Sequence, residues 1–223
     1  MSDLTLLIPA KSESESLPIF LEELKKFNHK KLIVLDEKDT KTIESIKPFD
    51  DIEILYQKKT GYGNALIEGI NYIKTHFFCI INADGSMDPK EIESMLNEIE
   101  VNQLDIVFGS RYMENAGSDD DDIITSIGNY VFTLLGKIFF KLKISDILYT
   151  YLIGKTQFIK DLKLESGDFS FCVELPIKVQ RKKYNYKSYP CHERKRIAGK
   201  KKVSPFLDGF RILLGMANLF FKR

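Results

Sequence analysis

The sequence predicts an α/β fold, a mostly parallel sheet flanked by helices, on two observations. Short apolar runs alternate with segments whose apolar residues recur at helical spacing. Small polar and acidic residues follow most of those runs, where open parallel sheets bind their ligands. The runs are LTLLIPA at 4–10, KLIVLD at 31–36, IEILYQ at 52–57, FFCIINAD at 77–84 and LDIVFGSR at 104–111. Each reads as a strand. Between them, ESLPIFLEELKKF and GNALIEGINYIKTH read as helices that return the chain for the next parallel strand. DPKEIESMLNEIE reads as another, with Asp88 as N-cap and Pro89 at the first helical position. After residue 112 the alternation stops, so the chain is expected to form a single domain over 1–223, with a ligand-binding half at 1–112 and a second half at 113–223 carrying amphipathic helices.

Composition narrows the function classes. The 223 residues are 43% hydrophobic and 29% charged with a formal net charge of +1, so nothing in the overall balance suggests nucleic acid, and none is expected as a partner. Cys79, Cys172 and Cys191 are odd in number and far apart, without a CxxC pair or a histidine cluster. They support neither a disulfide framework nor a zinc site, and a reducing, cytoplasmic compartment fits them. The opening MSDLTLLIPAKSE has no basic leader and reads as a strand rather than a signal peptide. No stretch is read as reaching the uninterrupted apolar length of a membrane span.

The strand ends gather the candidate site residues. They are Pro9, Ala10, Lys11 and Glu13 after the first run, Asp36, Glu37 and Asp39 after the second, Asn82, Asp84 and Ser86 after FFCII, and Ser110 and Arg111 after DIVFG. Any one of them alone is as readily a turn or a helix cap. Asp84, between small residues at the end of a buried strand, suits a hard divalent cation, which takes oxygen ligands and is often held by one or two carboxylates plus the substrate's phosphates. Gly61 and Gly63 in TGYGNALIEGI either let backbone approach a phosphate or make a tight turn. Their spacing is neither the Walker loop nor the dinucleotide fingerprint, which disfavours a P-loop NTPase or an NAD enzyme.

Taken in order, these motifs resemble the family 2 glycosyltransferases of the GT-A fold, closest to the dolichol-phosphate mannose synthase and polyprenyl-phosphate glycosyltransferase branch. IPAKSESESL resembles the family's IPAYNEAENL, LDEKDTKT stands at its VDDxSxDxT, GYGNAL at its GxGxA turn and NADGSMDP at its DADxxxxP. GSRY matches outright, FSFCVELPIKV resembles the region after the GF pattern, and GKKKVSPFLDGFRIL resembles the GxSKVSPxxDGxRIL ending. The resemblance implies a nucleoside-diphosphate sugar donor, Mg2+ or Mn2+, and inverting transfer to a lipid phosphate. It implies nucleoside contacts at Pro9, Ala10, Glu13 and Asp36. Asn82, Ala83 and Asp84 would face the diphosphate and metal, with Asp84 the main metal ligand and Ser86 a weaker one. Arg111, Arg194, Arg196 and Lys202 would meet donor and acceptor phosphates. Glu174 would be the base if the acceptor were a hydroxyl. Asp84, Glu174, Arg194 and Lys202 are thus the expected catalytic residues, with Lys11, Gly61 and Gly63 lining the substrate.

Three departures stand out. Asn82 replaces the first acid of the usual pair, four aspartates (Asp119–Asp122) stand where the family has an arginine after GSRY, and Lys201 replaces a serine. The aspartates read as an exposed loop capping the next helix. IGNYVFTLLGKIFFKLKI at 127–144 and DGFRILLGMANLFFKR at the C-terminus read as amphipathic helices that either lie in a bilayer interface, at the inner face of the membrane, or pack across a homo-oligomer contact. RKRIAGKKK at 194–202 has six cations in nine residues and, beside a site for two phosphorylated substrates, reads as a phosphate-binding segment. The rivals are a saccharide hydroxyl acceptor, a non-catalytic nucleotide-sugar-binding scaffold and a nucleotidyltransferase, the last lacking a glycine-rich basic loop after the first strand.

Overall fold

A computed structural model of the chain describes residues 3–222. The five apolar runs become β1 (Leu4–Pro9), β2 (Lys30–Leu35), β3 (Ile52–Tyr56), β4 (Phe77–Ile80) and β5 (Ile106–Ser110). The helices between them are α1 (Leu17–Leu24), α2 (Thr40–Ile46), α3 (Tyr62–Tyr72) and α4 (Glu91–Val101). The second half adds β6 (Gly117–Ser118), α5 (Ile123–Phe140), β7 (Leu152–Lys155), α6 (Thr156–Lys160), α7 (Phe171–Arg181), β8 (Tyr186–Pro190), β9 (His192–Glu193) and α8 (Pro205–Phe221).

The seven-stranded sheet has the order β3-β2-β1-β4-β7-β5-β8, and β6 pairs with β9 in a separate ribbon. Neighbours in the large sheet are parallel except around β7, which runs antiparallel to β4 and β5. Alternating side chains of β1 serve both faces, since Leu4, Leu6 and Ile8 join the core under α1 and α4 while Leu7 joins the core under α3 and α7. The chain winds outward from β1 through β2 to β3, then crosses to β4 on the other side of β1. That reversal opens a crevice beyond the carboxyl ends of β1 and β4, the place where such sheets take ligands.

Two expected boundaries shift. α4 begins at Glu91 rather than Pro89, because Asp88 Oδ1 accepts the Lys90 N–H at 3.0 Å and closes a turn ahead of the helix. α5 begins at Ile123, four residues before the expected apolar stretch, with Asp122 Oδ1 accepting the Thr125 N–H at 2.9 Å as its cap. The earlier start corrects the reading of membrane-spanning length. Only Lys137 is charged in Ile123–Phe140, and this 18-residue helix, of mean hydropathy 1.5, is long and apolar enough to cross a bilayer by length and composition. One side of α5 is nevertheless fixed to the domain, where Asn129 accepts from Leu148 N at 3.0 Å and Thr133 from Ile147 N at 3.2 Å.

The start of α3 docks on the loop before α7. Asn64 N donates to Gly167 O at 3.0 Å, and Tyr62 stacks on Phe169 with ring centroids 5.1 Å apart. A Cβ at Gly63 would come within 2.0 Å of Ser166 O, and Gly61, at φ +131°, would put one 2.3 Å from Gly167 O. The glycines therefore admit this chain's own backbone. Gly63→Ala should cost about 1–3 kcal/mol of stability, since the obstacle is main chain and cannot rotate away. Thermal unfolding of the variant measures it, as a fall of several degrees in Tm.

Candidate active site

The crevice is built from the ends of β1 and β4, closed by the basic segment 194–202. Asp84 sits in the turn after β4. Its Oδ1 accepts the Ser86 N–H at 3.1 Å and the Ser86 hydroxyl at 2.8 Å, which fixes the plane of the carboxylate. Its Oδ2 faces Arg196 Nη1 at 3.3 Å. Asn82 is turned by the Tyr62 hydroxyl at 3.4 Å, itself bonded to Thr150 at 2.6 Å.

The basic segment lies across this turn by its main chain. Arg194 N donates to Ser86 O at 2.7 Å, Ile197 N to Asp84 O at 2.8 Å, and Met87 bridges Glu193. Gly85, at φ +73°, leaves room for Ile197, whose Cδ1 would lie 2.4 Å from a Cβ there. On the β1 side, Lys202 Nζ reaches the Glu13 carboxylate, which also takes the Ser16 hydroxyl at 2.5 Å. Pro9 and Ala10 end β1 beside them, and Ala10 N donates to Val34 O at 2.9 Å. Asp36 follows β2, accepting from Lys38 N at 2.9 Å, and Lys11 is exposed on the rim.

The structure thus brings together Pro9, Ala10, Glu13, Asp36, Asn82, Ala83, Asp84, Arg196 and Lys202 at one sheet edge. Other expected site residues it removes, each for a physical reason. The Arg111 side chain is 8% exposed and locked between Asp146, at 2.8 Å from Nε and 3.1 Å from Nη2, and Glu193 at 3.1 Å. Burial alone would lower its pKa, but the charge and hydrogen bonds of Asp146, then Glu193, outweigh it and the pKa rises. With Nε, Nη1 and Nη2 each held by a carboxylate, it is a structural cation. Arg194 spends its guanidinium on Glu23, at 2.7 and 3.1 Å, and on Gly85 O, at 2.7 and 3.2 Å, so it clamps the Asp84 turn from behind. Ser86 is buried and aimed at Asp84, so it orients that carboxylate instead of reaching a metal. Gly61 and Gly63 face the 166–168 backbone rather than a ligand.

Glu174 is corrected most sharply. It is 1% exposed in α7, its carboxylate accepting from Glu165 N at 3.0 and 3.1 Å and Ser166 N at 2.7 Å, with Lys178 at 2.6 Å. A carboxylate so saturated holds a loop; it cannot take a substrate proton. The four aspartates are exposed only in part, at Asp119 and Asp122. Asp122 is the exposed cap, but the side chains of Asp120 and Asp121 are 11% and 6% exposed. Asp120 binds Arg196 at 2.6 and 3.1 Å, and Asp121 takes the Tyr112 hydroxyl at 2.5 Å; burial, then this hydrogen bond, pushes that phenol up to about 12. Asp120, Glu23 and Asp146 were not anticipated. The one sequence signal for them is that a six-cation segment in a folded chain needs acids nearby, and SDDDD is the densest acidic run.

Among the described residues no group of three or more His, Cys, Asp or Glu side chains is arranged to hold a metal. A divalent cation fits here only in the shared way, with Asp84 as the single protein carboxylate and a diphosphate completing the shell. The geometry allows that, because Ser86 presets Asp84 and the Arg196 contact on the other oxygen is long. Glu174→Gln tests the structural assignment. It should lower stability by about 1–3 kcal/mol, read by thermal unfolding, because two backbone N–H donors lose a charged acceptor, and nucleotide binding by the folded protein should be unchanged.

Comparison with known proteins agrees with this architecture. The chain is 27% identical over 132 residues to an uncharacterized protein of Methanocaldococcus jannaschii, covering 57% of this chain and 54% of the relative. It is 27% identical over 107 residues to an uncharacterized glycosyltransferase of Mycobacterium bovis, covering 48% of each. The alignments thus span about half the length of the curated relatives. Among solved structures, glucosyl-3-phosphoglycerate synthase of Mycobacterium tuberculosis, in complex with Mn2+, UDP and phosphoglyceric acid, superposes with TM-score 0.71. That match covers 99% of this chain and 79% of the synthase at 11% identity, a likeness of fold that makes this a GT-A architecture. The model of glycosyl transferase family 2 matches residues 5–162, and with the Asp84 turn standing at the β1–β4 crevice the chain belongs to that family.

Proposed function

We propose that the chain is an inverting glycosyltransferase moving a sugar from a nucleoside-diphosphate sugar to a polyprenyl, dolichyl-type phosphate at the cytoplasmic face of a membrane. The observation that carries the donor half is the crevice itself, where a preset Asp84, Arg196 and Lys202 converge at the β1–β4 reversal. Pro9, Ala10, Glu13 and Asp36 flank the nucleoside, and Asn82 to Asp84 face the diphosphate. Mg2+ or Mn2+, held by Asp84 and the donor's own phosphates, would neutralise the departing diphosphate. Arg196 and Lys202 add fixed positive charge where negative charge develops. An acceptor oxygen attacks the anomeric carbon as the bond to the diphosphate oxygen breaks, and that electron pair leaves with the nucleoside diphosphate.

Two observations favour a phosphate acceptor. With Glu174 sealed in α7, the base expected for a hydroxyl acceptor is gone, whereas a phosphate oxygen is anionic at neutral pH and needs none. The exposed sides of α5 and α8 also present Ile123, Ile127, Phe206, Phe210, Leu214 and Phe221, large apolar side chains each more than half exposed. Lys137, Lys141 and Arg211 accompany them, the pattern of helices that lie in an anionic interface. The mycobacterial synthase, solved with Mn2+, UDP and phosphoglyceric acid, is compatible with this chemistry.

Thermal unfolding with UDP or GDP, each with and without Mn2+, tests the donor half. A nucleotide at about 100 times its Kd should add about 2.7 kcal/mol, require the metal, and lose the effect in Asp84→Ala. No stabilisation by either nucleotide would replace the enzyme with a scaffold. Sedimentation with vesicles containing anionic lipid tests the membrane half. The wild type should co-sediment, and Phe206→Ser with Phe210→Ser should stay in the supernatant with an unchanged melting temperature.

A further inference from the structure

Arg196 stands between two carboxylates that hold it unequally. Its Nε and Nη2 meet Asp120 Oδ1 and Oδ2 at 3.1 and 2.6 Å, a two-point contact along one edge of the guanidinium. Only Nη1 turns to Asp84, at 3.3 Å. The short bidentate pair is the strong one, and the single long contact is weak. Asp120 is in turn fixed by the fold. Ser118 pairs with Glu193 in the β6–β9 ribbon, Asp120 N donates to the Ser118 hydroxyl at 3.2 Å, and the Arg196 segment leaves the other strand of that ribbon. Burial works against the charge on Arg196, but its hydrogen bonds to Asp120 and the field of Asp84 outweigh it, so the guanidinium stays charged.

Without Asp120, the nearest acid for this guanidinium is Asp84 itself. The two would close into the bidentate pair that arginine and carboxylate prefer, covering both oxygens that a cation or diphosphate must approach. Resting on the transferase reading above, we propose that Asp120 is a positioning residue for donor binding, clamping Arg196 by one edge so that Nη1 alone faces the Asp84 carboxylate. The incoming diphosphate takes Nη1 from Asp84, and Asp84 is then free for the divalent cation that accompanies the donor. The aspartate run thereby gives the site an acid that Asn82 does not supply, placed behind the arginine instead of on the metal.

A double-mutant cycle tests this. Binding of Mn2+–UDP and Mn2+–GDP is measured by calorimetry for wild type, Asp120→Asn, Arg196→Ala and the double variant, with melting temperatures as a check on folding. Asp120→Asn should weaken whichever nucleotide binds by about tenfold, as losing a charged hydrogen-bond partner does. The double variant should bind no worse than Arg196→Ala, because the aspartate acts only through the arginine. A purely structural Asp120 gives additive losses, and unchanged binding by Asp120→Asn makes it a bystander; either outcome overturns the proposal. Should Asp120→Asn fail to fold, Arg196→Lys asks the same question from the other side. Lysine keeps the charge but cannot span both Asp120 oxygens with one planar edge, so it also weakens binding about tenfold, whereas unimpaired binding overturns the proposal. If the wild type binds neither nucleotide, the donor reading falls and takes this one with it; additive losses in a wild type that binds well sink this one alone.

Discussion

The buried guanidinium of Arg111 is the constraint on which the site's architecture depends. It ends β5 among Asp146, Glu193 and, at 3.7 Å, Asp121, with the Tyr149 ring 4.6 Å from its Cζ. Taking one cation out of water costs several kcal/mol unless it is paired and hydrogen-bonded, and an unpartnered carboxylate here would cost as much. The four side chains therefore fix one another. They come from the end of β5, the loop before β7, β9 and the aspartate run, so their pairing sets where the second half of the chain lies against the first.

The knot carries one positive and three negative charges, and the surplus spreads outward in pairs. Lys201 sits by Asp121 and Asp122, at 3.8 and 3.0 Å, Arg196 joins Asp120 to Asp84, and Arg194 joins Glu23 to the Gly85 carbonyl. A segment of six cations, which in isolation would repel itself, is thereby laid flat over the Asp84 turn. These pairs are part-buried rather than fully solvated. Their effect is geometric, since they hold cations near the place where a diphosphate would sit at little reorganisation cost.

Behind the site, Glu174 and the α3 glycines form a second, uncharged-looking support. The carboxylate holds the 165–166 backbone, that loop leaves room only for glycine at 61 and 63, and Tyr62, fixed by the stack on Phe169, reaches back to Asn82. A residue that resembles a base and two that resemble a phosphate loop thus act together on the docking of α3 against the 165–169 loop. On the far side, α5 and α8 touch through Phe139, Phe140 and Phe220 and turn their remaining apolar side chains outward.

Periodicity sufficed for the first half of the fold. β1 to β5 and α1, α3 and α4 are apolar in a regular enough pattern that local sequence dictates them, whereas the seven-residue α2 between β2 and β3 is too short to announce itself. The strand-end residues Glu13, Asp36, Asn82 and Asp84 follow from that alternation alone. LIGK and YKSYP are too short and too mixed to announce β7 and β8, which exist because the sheet offers them partners. The fates of Arg111, Arg194, Glu174 and Asp120 were likewise invisible. A charged side chain reads the same in sequence whether it meets solvent, a ligand or a counter-charge a hundred residues away, and burial and pairing are decided only when the tertiary structure brings those distant segments together.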